Sequence, residues 1–221
     1  VISNIEIEAC IEHPSAGLTA QAAGATRIEI NCALRLDGLT PSLASCRWLK
    51  SKCALPIIAM VRPRDGFVLD ETDQQLALED GHALLELGVD GLAYGALDSG
   101  GELNVKYIQQ MVELCGNRSL VCHRAFDRLV DQRRSLEQLI DCGVRRVLTS
   151  GGAATALEGI DRLRELVEWA RGRIEILPAA GICAANARQL IQATGCTQLH
   201  GTFRHDPAEI TAVRQSLEGA L

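Results

Sequence analysis

Short runs rich in Ile, Val and Leu recur along the chain, at 5–10, 27–31, 57–62, 91–94, 120–123, 146–149, 173–177 and 198–201. Runs of this length and composition read as strands buried on both faces, as in a parallel sheet. Helical periods lie between them. "SLASCRWLKSKC" follows Thr40-Pro41, a capping residue with proline at the expected first helical position. "DQQLALEDGHALLELG" puts Leu76, Leu84 and Leu87 near one face and ends in Gly88. "ALEGIDRLRELVEWARG" places Leu157, Ile160, Leu163, Leu166 and Val167 on one stripe and ends in Gly172.

A weak internal repeat orders these elements. "GATRIEI" from Gly24, "GVDGLAY" from Gly88, "GVRRVLT" from Gly143 and "GCTQLHG" from Gly195 share one logic. A glycine closes a helix, two residues turn, and a strand follows. The phrases precede the second, fourth, sixth and eighth strands, so they mark four units of two strand–helix pairs. Eight pairs in 221 residues predict a (β/α)8 TIM barrel filling residues 1–221 as a single domain. An open doubly wound sheet would carry a Gly-x-Gly-x-x-Gly turn after the first strand, where "CIEHPSAG" stands instead.

Composition narrows the function. The formal net charge is −6 and the 22 basic residues are scattered, so no nucleic-acid face is expected. No apolar run is long enough for a membrane span. The chain starts at Val1 and shows no secretory signal. None of its nine cysteines forms a Cys-x-x-Cys pair, so they read as reduced core thiols of a cytoplasmic protein. The expected partner is a small molecule or a metal ion.

Active sites of such barrels lie at the C-terminal strand ends. There the strands deliver Glu8 and Cys10; Glu29, Asn31 and Cys32; Arg62 and Arg64; Tyr94; His123, Arg124 and Asp127; Thr149, Ser150 and Gly151; Gly181; His200 and Gly201. Buried charge is costly unless it is paired or used, so the polar ends point to a functional rim. His123, Glu8 and Glu29 are the candidates for acid–base work. Arg62, Arg64 and Arg124, with the small residues of "LTSGG", "LPAAG" and "LHGT", are candidates for holding an anion. Cys10 and Cys32, with His123 and His200 nearby in the fold, would suit a soft ion such as Cu(I), or zinc.

"IEAC", "GATRIEI", "DGLTPS", "VRPRDG", "YGALDSGGELN", "CHRAFD", "RVLTSG", "ALEGIDRLRELVEWARGRIEILPAAGI" and "QLHGT" occur in an order that resembles the CutC family, named for copper homeostasis. The likeness covers nearly the whole chain. It implies a (β/α)8 barrel, a cytosolic homo-oligomer, and Cu(I) held through cysteines of the first two strands; no reaction is established for the family. Glu8 and Cys10 match its Glu-x-Cys, and Glu29 matches the glutamate of its Glu-Leu-Cys. Asn31 stands where that second cysteine falls, with Cys32 one position on. Neighbouring strand residues face opposite ways, so Cys32 meets Cys10 only if the strand has ended there. After "FRHDP" only one further helix is expected, which leaves the mouth open. Two readings follow: a copper-binding protein, or a barrel enzyme or binding protein for a small carboxylate or phosphate.

Overall fold

A computed structural model describes residues 5–218. The strands are β1 Glu6–Ile11, β2 Arg27–Ile30, β3 Ile57–Met60, β4 Gly91–Tyr94, β5 Ser119–Cys122, β6 Arg146–Thr149, β7 Glu175–Pro178 and β8 Gln198–Gly201. The helices are α1 Pro14–Ala23, α2 Leu43–Lys50, α3 Glu71–Glu86, α4 Val105–Cys115, α5 Gln132–Cys142, α6 Ile160–Ala170, α7 Ala184–Thr194 and α8 Pro207–Glu218. The strands pair in parallel in the order β7-β6-β5-β4-β3-β2-β1-β8. β8 returns beside β7, so the sheet forms a nearly closed (β/α)8 barrel. Across that seam Gln198 Nε2 donates to Glu175 Oε2 at 3.2 Å. No helix among the described residues is long and apolar enough to cross a membrane.

The helix ends follow local chemistry. Gly24, Gly88, Gly143 and Gly195, the repeat glycines, all have left-handed φ, from +75° to +100°. A side chain would be strained there, and each glycine turns the chain from helix to strand. α3 opens on a reciprocal cap between Asp70 and Asp73. α2 starts later than Thr40-Pro41 implies, because the Ser42 hydroxyl, accepting from Ser45 N at 3.1 Å, supplies the cap. Leu76 and Leu157 depart from the expected core stripes. The buried stripe of α3 runs through Gln74, Ala77, Gly81 and Leu84, which turns Leu76 to solvent. Leu157 lies in the turns before α6 and is also exposed.

Side chains alternate across each strand, and the two faces have separate cores. Outward residues such as Ile28, Ile30, Leu92 and Tyr94 pack with the helices in one large cluster. Inside the barrel, Ile58, Met60, Ala93, Val121, Leu148, Leu177 and Ala179 form a second cluster, all from β3–β7 or just beyond β7. The remaining interior is polar: Gln198, His200, Glu8, Arg27, Glu29 and Asn31, from β8, β1 and β2 or just beyond β2, are all buried, and Arg146 of β6 joins them, bonded to Glu175 of β7.

Candidate functional site

Register builds the polar side. Glu8 lies opposite Arg27 on β2 and His200 on β8, and Cys10 lies opposite Glu29. Arg27 pairs with Glu8 and Glu6, and its Nη2 donates to Gln198 Oε1 at 2.8 Å. His200 Nδ1 lies 2.7 Å from Glu8 Oε1, and its Nε2 lies 3.4 Å from Glu29 Oε2. Asn31 Nδ2 donates to Cys10 Sγ at 3.4 Å. Cys10, Glu29 and His200 each present one ligand-type atom, all within 4.8 Å of one another.

The electrostatics follow from burial and pairing. Burial alone would raise the Glu8 carboxyl, but the His200 hydrogen bond and the Arg27 charge reverse this and hold it at about 2. Burial raises Glu29, and His200 only partly offsets it. Burial and then the Glu29 charge push the Cys10 thiol well above its usual range. Burial would lower His200, but Glu29 and Glu8 outweigh it and raise the imidazole. Burial and the neighbouring carboxylates thus favour the protonated thiol at Cys10.

Above this cluster a cavity of about 300 Å³ opens at the mouth. Cys10, Glu29, Asn31 and His200 line one side, and Met60, Leu148 and Ile182 add apolar wall. His123 and Arg124, at the end of β5, line it as well. His123 is buried, its Nδ1 accepts from Ala125 N at 3.2 Å, and its Nε2 has no partner among the described residues. Burial, with help from the Arg62 charge, lowers its pKa to about 3. Arg124 Nε donates to Asp127 Oδ2 at 2.9 Å. A second hollow of about 250 Å³ further out shares Asp37, Phe67 and Arg124.

Other predicted residues go elsewhere. Arg62 is buried, but its donors go to the carbonyls of Leu36, Gly38 and Gly66 and to Asp65, at 2.6–3.1 Å. Its guanidinium clamps two loops and is not offered to a ligand. Arg64 pairs with Asp73 at the start of α3, away from the cavity. The "LTSGG" amides are also taken: Asp127 accepts from Ser150 N and Gly152 N at 3.1 Å and from the Thr149 hydroxyl, and Gly151 N donates to Thr149 Oγ1. An internal carboxylate thus fills the place of the expected anion. Gly181 and Gly201 do line the cavity. Cys32 follows the end of β2, but its Sγ donates to Thr40 O at 3.1 Å and it does not join Cys10. His200 belongs at the centre of the cluster, brought there by the pairing of β8 with β1. Asp37, Phe67 and Arg204 line the cavity from loops, where no periodicity marks them.

The fold and site define a (β/α)8 barrel with a buried carboxylate–imidazole–thiol cluster beneath its mouth. The chain belongs to the CutC family, whose profile matches residues 5–205. A CutC family protein of Treponema denticola is 41% identical over 200 residues, covering 90% of this chain and 81% of that protein. One from Mesorhizobium japonicum is 41% identical over 195 residues, covering 88% and 76%. The crystal structure of the CutC protein of Streptococcus agalactiae, named for copper homeostasis, superposes with a TM-score of 0.85 at 32% identity, covering 90% of this chain and 98% of that one. An aldolase structure superposes at 0.73 but is 12% identical, which shows a shared fold alone.

Proposed function

We propose that this chain is a copper homeostasis protein that holds its ion through Cys10 Sγ, His200 Nε2 and a Glu29 carboxylate oxygen. The relatives' name supplies the class of function. The observation that carries the site is the Glu8–His200 contact. A carboxylate on Nδ1 fixes the tautomer and aims Nε2 at the other two ligands, the usual support for a metal-bound histidine. Thiolate and imidazole suit Cu(I), and the added carboxylate also admits zinc. Asn31 and the displaced Cys32 make this a one-cysteine site.

Cys10 must lose a proton to bind, and a protonated His200 must release one from Nε2, so affinity rises with pH. Anaerobic competition titration with Cu(I) and with Zn²⁺ tests the reading. Loss of tight Cu(I) binding in Cys10→Ser, with Cys32→Ser unchanged, is expected. Equal weak binding in wild type and Cys10→Ser sinks the copper site, and tighter Zn²⁺ than Cu(I) replaces copper with zinc.

A further inference from the structure

Two buried polar atoms that line the mouth have no partner among the described residues, Asn31 Oδ1 and His123 Nε2; Asn31 is tied to Cys10 through its Nδ2, whereas His123 stands outside that cluster. A backbone N–H can only donate, so the bond from Ala125 N requires a lone pair on Nδ1. The proton of the neutral ring therefore sits on Nε2. Gly95 packs against the same Nδ1–Cε1 side of the ring, where a Cβ would lie 2.7 Å from Nδ1 and 2.8 Å from Cε1. Phe67 packs against the ring, tilted by 54° at a centroid distance of 5.3 Å. Backbone, glycine and aromatic ring together lock the imidazole, and its remaining donor, Nε2–H, is buried without a partner. A buried donor left unpaired costs free energy, which an incoming acceptor removes. The same tautomer denies a metal the Nε2 lone pair, so His123 cannot serve as a further ligand in this arrangement.

The neighbours define the acceptor. Arg124 is about a third exposed and gives Nε to Asp127, while its Nη1 has no partner among the described residues. Arg204 lines the same cavity beyond β8 and has no ion pair among the described residues. It sits in a run of left-handed φ, with Phe203, Arg204 and His205 at +47°, +56° and +56°. Non-glycine residues hold that conformation only under constraint. Asp37 and Glu29 also face the cavity, so an anion fits only on the arginine side. Apolar wall from Leu34, Met60, Leu148 and Ile182 lies between.

We propose that the mouth is a binding site for a small oxo-carboxylate, with its carbonyl oxygen on His123 Nε2–H and its carboxylate on Arg124 and Arg204. This ligand is separate from the metal ion and needs no metal to bind. A donor that carries no charge is matched to a neutral carbonyl, and the cavity volume admits a molecule of metabolite size.

Metal-free full-length protein with ¹⁵N-labelled histidine provides the test. The probes are two matched pairs, pyruvate with propionate and 2-oxoglutarate with glutarate. At least one oxo-acid should bind about tenfold more tightly than its partner, the discrimination one hydrogen bond to a buried donor supplies. His123→Phe should bring that ratio to about one, and Arg124→Gln should weaken both members of the pair together. If His123→Phe does not fold, the wild-type Nε2 resonance of His123 still decides: it should move with the oxo-acid and stay with its partner. Equal affinity within both pairs, no binding of either oxo-acid at millimolar concentration, or a ratio that survives His123→Phe overturns the site. None of these outcomes bears on Cu(I) titration at Cys10.

Discussion

The interior of this barrel has two halves, and each carries one histidine. On the β8–β1–β2 side His200 sits between Glu8 and Glu29 and is pushed toward its charged form. On the β3–β7 side His123 stands at the end of an apolar wall and is driven to its neutral form, with a pKa of about 3. Both rings are buried to a similar degree, at 7% and 2% exposure, so burial does not separate them. Their neighbours do: two carboxylates in one case, Phe67 and a nearby guanidinium in the other. One residue type thus becomes an imidazole pushed toward its charged form in one half and a fixed neutral donor in the other.

The largest test of this contrast is to break the polar half. Arg27→Met leaves Glu8 buried without its guanidinium partner, and stability should fall by about 3–5 kcal/mol in urea unfolding. An undiminished midpoint would show that His200 alone neutralises Glu8. The apolar half should fail differently. Leu148→Ala removes packing without stranding a charge and should cost about 2–5 kcal/mol, with little change in the pH dependence of stability. A marked pH dependence there would mean that water reaches the polar cluster.

The histidines themselves should give opposite pH limbs. His123 has a depressed folded pKa, so its stabilisation is present above about pH 6.5 and is lost as pH falls toward 3. His200 has a raised one, so its contribution is present below about pH 6.5 and is lost as pH rises through the folded value. Urea midpoints should therefore flatten between pH 6.5 and 4.5 in His123→Phe, a window above the ordinary Glu8 carboxyl range. They should flatten on the alkaline side in His200→Gln. Identical limbs in the two variants would erase the distinction. The smallest effect belongs to Arg64→Ala. Its side chain is half exposed, so loss of the Asp73 pair should cost at most about 1 kcal/mol and leave ligand and metal binding intact.

Much of this layout is legible in the chain. The Ile- and Val-rich runs and the four repeat glycines carry the barrel, because continuous apolar runs and left-handed helix ends are local properties. Glu8, Glu29, Cys10 and His123 are visible as polar interruptions at strand ends. What joins them is not local. The contact from His200 to Glu8 spans 192 positions and depends on β8 closing beside β1. Arg62 and the "LTSGG" amides look available in one dimension, but loop carbonyls and Asp127 reach them first. Cys32 shows the same limit: two residues past the end of β2, loop geometry rather than alternation decides where a thiol points.

X-ray absorption at the copper edge of the anaerobically loaded protein addresses the polar half most directly. A shell with one sulfur plus nitrogen or oxygen scatterers is expected, with the sulfur absent in Cys10→Ser and retained in Cys32→Ser. A two-sulfur shell, or a sulfur that persists without Cys10, contradicts a site built from Cys10, Glu29 and His200.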